Sequence, residues 1–393
     1  AVCMMITMLP LSAVTAFAED TSAPTGTASY GDYEYDYTIN TEDGTATITK
    51  FRALVDGSYD ITIPTDFGRF PVTAIGDDAF RGCSALKKVT IPQSVTSIGD
   101  SAFAGCHNLD SVTINDAATS IGNRAFTECP LTTTLSLGKK ITTIGDEAFY
   151  DCRGLTSVTI PPSVTSIGKK AFLQCIHLKT LSFGENIKTN IETIGDDAFY
   201  YCIKLESVTI PQSVTSIGND AFGQCHDLQS LTIKDAATSI GHRAFLGCTS
   251  LETISLGENI KTIGDHAFYY CIKLESVTIP QSVTFMGDRA FTGCAQLNSL
   301  TINDAAISIG DWTFDECYKL TTLSLGEKIK TIGDYAFYDC RILNNVTIPQ
   351  SVTSIGDHAF GACYGMDSFT IKDATTSIGK YAFSDCQSLT TLS

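Results

Sequence analysis

Ile98-Gly99-Asp100-Ser101-Ala102-Phe103-Ala104-Gly105-Cys106-His107-Asn108-Leu109-Asp110-Ser111-Val112-Thr113-Ile114 decides the fold of this chain. A nine-residue, turn-rich return follows it, and then the pattern begins again at Ile121. Cysteines mark the period at 83, 106, 129, 152, 175, 202, 225, 248, 271, 294, 317, 340, 363 and 386, a spacing of 23 broken once by 27. A fixed period of this size predicts a solenoid whose units touch only their neighbours, not a string of globular domains. Leu109, Val112 and Ile114 carry a strand signature, and alternation sends Val112 and Ile114 inward and Thr113 outward. Gly99 permits a sharp turn. Asp100 is placed to cap a short helix, and Ala102, Phe103 and Cys106 would share one face of it. The expected fold is therefore an α/β repeat solenoid, with a parallel sheet on one face and short helices opposite. Phe recurs in all fourteen units from Phe80 to Phe383, which makes that column core and not a cofactor box.

A longer period overlies the first. The return segments are of three types, IPQSVTSIG (91–99), INDAATSIG (114–122) and LGENIKTIG (256–264), and they recur in that order every 69 residues. One middle-type unit is missing after residue 160, and the unit beginning at 167 carries four extra residues near Lys188 to Ile191. Near-identity within one chain indicates duplication of a three-unit block, which favours a surface whose reach is set by length.

Residues 1–18 are uncharged and end in Ala16-Phe17-Ala18, the small-x-small form of a signal-peptidase site. The expected organisation is a partial signal peptide over 1–18, a mobile linker over 19–29, an N-terminal β cap over 30–74, and repeats over 75–393 with the last incomplete. Tyr33, Tyr35, Tyr37 and Ile39 alternate with polar residues before Glu42-Asp43-Gly44, which predicts a hairpin in the cap.

The formal net charge is −17, from 26 Lys and Arg against 43 Asp and Glu. That excludes the basic footprint of a nucleic-acid binder and opposes contact with anionic lipid. At 43% hydrophobic residues the chain is not a disordered one.

The unit IGDxAFxxCxxLxSVTIPxSVTS resembles the BspA-like leucine-rich repeat family, also called the Treponema pallidum type. The likeness spans 75–393. It implies a right-handed leucine-rich-repeat superhelix in an exported or surface protein, and several family members are described as adhesins for host matrix proteins or other bacteria. The family brings no shared catalytic residue and no fixed ligand motif.

Candidate chemistry follows from the columns. The cysteines are expected to be free, packed thiols, because side chains on an inward parallel ladder do not supply the disulfide dihedral. No CxxC pair points to a metal, and no histidine sits in a Ser-His-Asp or HExxH context. Neither an enzyme nor a cofactor site is expected. Asn345-Val346-Thr347 is a glycosylation sequon within a strand. The candidate binding face is the outward hydroxyl lattice: Thr113, Thr159, Thr180, Ser182, Ser207, Thr209, Ser230, Thr232, Thr253, Ser255, Ser276, Thr278 and Thr301. Good strand propensity alone also accounts for such residues. A candidate aromatic flank comprises Tyr200, Tyr201, Tyr269, Tyr270 and Tyr338, suited to repeated weak contacts or else partly buried. The resulting expectation is a secreted or cell-surface, non-enzymatic scaffold that contacts a protein or glycoprotein, with no nucleic-acid partner and no transmembrane helix in the mature chain. The alternatives are a stalk that presents a further C-terminal module and, remotely, an ice- or glycan-binding lattice.

Overall fold

The computed structural model describes residues 25–184, 190–304, 308–372 and 376–393. The expected signal peptide, residues 19–24 of the expected linker, and Lys188 with its neighbour at 189 lie outside them. Every regular element among the described residues is a β-strand, thirty-three in all. Each coil contributes one strand of two to six residues to a broad parallel sheet, such as Ser207–Ile210 beside Ser230–Ile233. It adds a two-residue strand to a second, narrow parallel sheet, such as Ser216–Ile217 beside Ser239–Ile240.

Among the described residues the short helices expected opposite the broad sheet are absent, and the hydrogen bonds show why. Ser101 (φ 54°) and Gly105 (φ 69°) both adopt left-handed backbone. Two such residues four apart cannot belong to one right-handed helix. Amides in this segment alternate. The N–H groups of Ser101, Phe103 and Gly105 donate to the carbonyls of Asn123, Ala125 and Thr127 in the following coil, at 2.7–2.8 Å. Those of Ala104 and Cys106 close short turns back to Ser101 and Phe103, at 3.0 and 3.3 Å. In a helix each amide beyond the first turn would bond back within its own segment. Here alternate amides tie one coil to the next instead.

Asp100 has a different role from helix capping. Its Oδ1 accepts the backbone N–H of Asn123, one coil ahead, at 2.7 Å. Asn serves equally well: Asn123 Oδ1 accepts from Asp146 N at 2.9 Å. Lys169 and His242, which have no side-chain oxygen, interrupt this ladder. At the first break Lys169 Nζ lies 3.2 Å from the next carboxylate, Asp196. At the second, His242 Nδ1 lies 3.9 Å from Asp265.

The phenylalanine column is a continuous stack. From Phe80 through Phe360 neighbouring ring centroids are 4.6–5.4 Å apart. Beside it runs the cysteine column, in which each thiol from Cys106 on donates to the Phe carbonyl of the coil before. Cys225 Sγ, for example, lies 3.4 Å from Phe199 O. All fourteen repeat cysteines are free.

At the N-terminus β1 (Thr25–Ser29), β2 (Tyr33–Asn40) and β3 (Thr45–Ala53) form an antiparallel ribbon. Residues 25–29, expected in the linker, are thus paired strand. Tyr35 and Tyr37 are buried, and Phe51 stacks on Phe80 at 5.1 Å, extending the aromatic column into the ribbon. Arg52 bridges Glu34 at 2.6 Å and also pairs with Asp36 on the same ribbon.

Two outcomes follow. Phe222→Ala should cost about 3–5 kcal/mol and, because coils touch only their neighbours, should split chemical unfolding into separate transitions. A single transition with unchanged midpoint would overturn the stacking argument. The second concerns the thiols. Burial pushes Cys83 up to about 11 and Cys225 well above the usual thiol range. An aromatic disulfide reagent at pH 8 should therefore reach only the half-buried Cys83 and Cys386 in the native repeats, and all fourteen after unfolding.

Candidate binding surfaces

The broad sheet places its hydroxyls in two registered rows. Thr180, Ser207, Ser230, Thr253 and Ser276 pair in sequence along one row. Thr209, Thr232 and Ser255 form part of the second, and Thr278 pairs with Thr301 farther along it. Thr159, Thr180, Ser207, Thr209, Thr253, Ser255, Ser276 and Thr278 are exposed, while Thr113, Ser182, Ser230, Thr232 and Thr301 are half-buried. The structure thus gathers the sequence-predicted face on one side, with its apolar partners Val208 and Leu231 buried beneath.

This face is not one uninterrupted lattice. The broad ladder divides into sheets of four, eight and three strands. Separations fall between Thr134–Ser136 and Ser157–Thr159, and between Thr322–Leu325 and Asn345–Ile348. Pairing narrows to a single residue couple at Thr180–Ser207 and at Thr253–Ser276. Each joint lies where an LG-type unit meets an IP-type unit. In middle-type coils the residue after the strand donates to the coil before, as Asn115 does to Ile91 O at 3.1 Å. In the IP-type coils at the joints that residue is Pro161, Pro211, Pro280 or Pro349, which has no N–H to give. Glycines press the LG-type turns the other way. A Cβ on Gly138 or Gly326 would collide with the carbonyl of Asn115 or Asn303 in the coil behind.

At one edge of the face lies an open depression of about 560 Å³, lined by Thr301, Asn303, Asp304, Ser324, Glu327 and Glu258 among others. Ile302 and Leu325 also line it, and its polar groups are hydroxyls, the amides of Gln281 and Asn303, and carboxylates, which hydrogen-bond polyols or cationic side chains.

The tyrosine flank is only partly free. Tyr200 packs against Gly223 of the next coil, where a Cβ would come within 2.7 Å of the ring. Tyr270 covers Gly293 and Tyr338 covers Gly361 in the same manner. Tyr201 and Tyr270 stay 39% and 41% exposed, which leaves them the members of the flank most open to a partner.

Sequence reasoning missed a second aromatic column. Trp312, Tyr335, His358 and Tyr381 occupy one equivalent position in four successive coils, after Asp311, Asp334, Asp357 and Lys380, and their 23-residue spacing was available as a signal. Trp312 and Tyr335 stack at 3.9 Å, Tyr335 and His358 at 4.7 Å, and His358 and Tyr381 at 5.1 Å. Also missed was Asp315, which is 7% exposed and whose Oδ1 has no hydrogen-bond partner. Burial first, and then the neighbouring Glu316, push its carboxyl up to about 7.

These arrangements define a class first: a parallel β-solenoid with open, hydroxyl-bearing and aromatic surfaces. The sequence matches the BspA type Leucine rich repeat region, six copies, over residues 73–191, 186–297 and 261–390. The chain belongs to that family. It is similar to a leucine rich cell surface protein from Faecalibacterium prausnitzii, at 28% identity, TM-score 0.52, and coverage of 93% of this chain and 94% of that one. It is also similar to a leucine-rich repeat protein from Bacteroides ovatus, at 26% identity, TM-score 0.66, and coverage of 90% and 91%. The chain has no match among curated proteins. Among the described residues no helix is long and apolar enough to cross a membrane.

Asp315 yields a pH prediction with a definite sign. A folded-state value above the unfolded one means that the folded chain holds the proton more tightly. This contribution to stability is present at low pH and is lost as pH rises between about 4 and 7. Asp315→Asn should raise the melting temperature at pH 8 and leave it nearly unchanged at pH 4. Equal shifts at both pH values would show that the carboxyl is not the cause.

Proposed function

We propose that this protein is an exported, surface-displayed, non-enzymatic repeat scaffold, with adhesin-like contact to host matrix or mucosal glycoprotein, or to neighbouring cells. The observation that carries this reading is the open broad face, on which Ser and Thr hydroxyls stand in register across successive coils. Each hydroxyl contributes little by itself, and many coils acting together raise the effective concentration of the next contact. Similarity to a leucine rich cell surface protein supports the location, and membership of a repeat family supports the scaffold role.

The test is solid-phase binding of residues 19–393 to fibronectin, fibrinogen, mucin and a glycan array at low and physiological salt. Saturable binding that survives salt is expected. It should fall about tenfold when Ser207, Thr209, Ser230 and Thr232 are all replaced by Ala. Flat curves across the panel would favour a stalk that holds other sequence away from its anchor.

A further inference from the structure

We infer that the edge running from Asp288 to Tyr381 is a docking strip for an arginine-rich, extended segment of a partner protein. Two rows run side by side there, because their members are chain neighbours from Asp288-Arg289 through Asp357-His358; Tyr381 follows Lys380, so the acidic row stops one coil before the aromatic one. One is aromatic: Trp312, Tyr335, His358 and Tyr381 stack as a column, and Tyr338 lies 5.4 Å from Tyr335. Arg289 covers the open face of Trp312, with its guanidinium 5.5 Å from the ring. The other row is acidic: Asp288, Asp311, Asp334 and Asp357.

Each of these carboxylates uses Oδ1 to accept the next coil's amide, at 2.6–2.9 Å. Oδ2 remains available. Among the described residues none of the four takes part in an ion pair, although Asp288, Asp311 and Asp334 are exposed. Arg289 lies beside Asp288 but is turned toward Trp312. The strip therefore presents carboxylate oxygens at the coil spacing of about 4.8 Å, next to an apolar column whose inner rings offer edges and not faces.

An arginine side chain meets both demands. Its methylene stem packs along the ring edges, and its planar fork reaches a carboxylate through two donors. Lysine supplies a stem but no fork. The net charge of −17 draws a cationic segment toward the whole molecule, and the aromatic column is what would hold it here. Trp, Tyr and Arg are also the residues in which interface hot spots are enriched.

This strip is separate from the hydroxyl face, so it stands or falls independently of the function proposed above. Trp312 is the only tryptophan in the chain, which makes the strip self-reporting. A hepta-arginine peptide titrated into the full chain at physiological salt should change Trp312 fluorescence saturably. A labelled copy followed by anisotropy should give the same midpoint, and hepta-lysine should bind more weakly. Asp311→Asn with Asp334→Asn keeps the amide acceptor, as Asn123 does natively, and should weaken binding about tenfold. Tyr335→Ser with Tyr381→Ser should weaken it as much, and serine is native at the equivalent left-handed position, as Ser101. Asp77→Asn with Asp100→Asn removes equal charge at the far end and should leave the affinity unchanged. An equal loss in that control, or peptide binding without any Trp312 response, would overturn the assignment.

Discussion

Alternate amides of the turn segment, donated forward to the next coil, are the constraint on which the rest of this structure depends. Ser101, Phe103 and Gly105 can aim their N–H groups at Asn123, Ala125 and Thr127 only because two residues per coil turn left-handed. For a non-glycine residue that conformation costs roughly 1–2 kcal/mol, about what one net hydrogen bond contributes. A coil in isolation would not hold this shape. With neighbours on both sides, the forward bonds, the Asp100-type carboxylate bond and the stacked Phe rings all form together. Stability in such an array is a property of interfaces between coils.

The same constraint explains the column identities. Phe103 is fixed because its own amide is a forward donor and its ring lies on Phe80 and Phe126, at 4.6 and 4.9 Å. Cys106 is fixed because the small space behind Phe80 O takes a thiol that can donate weakly, and Sγ lies 3.1 Å from that oxygen. Neither column is chemistry held in reserve. Both are what a parallel stack of identical turns requires of its interior.

How much was legible in the sequence follows from this. Period, strands, inward and outward alternation, the hairpin and the free thiols could be read, because each depends on local pattern or on translation by 23 residues. The helix was misjudged for a physical reason. Ala102, Phe103 and Cys106 match one face of a helical turn, and hydrophobic spacing carries no record of backbone handedness. Gly82, Gly105, Gly247 and Gly293 at one left-handed position were the available hint, diluted by Glu128, Asp151, Gln174 and Tyr201 in the same column. The joints in the broad sheet were also written in the sequence, as prolines 161, 211, 280 and 349. Their meaning depended on knowing that the residue after each strand donates backward.

Function in this architecture is free to vary where the fold makes no demand. The hydroxyl rows are nearly the same in every coil, so they suit a ligand that is itself repetitive. The residue after the ladder position is different. Its backbone is fixed as left-handed, but its side chain varies along the chain: Ser101, Arg124, Glu147, Lys170, Asp197, His266 and Trp312 all occupy it. Substitution there changes the surface without touching the stack, and any run of similar residues becomes a column automatically, because translation aligns them. Arg289, Trp312, Tyr335, His358 and Tyr381 form such a run. A solenoid built on forward hydrogen bonds thus keeps its interior uniform, and particular recognition can arise along an edge through single substitutions in successive coils.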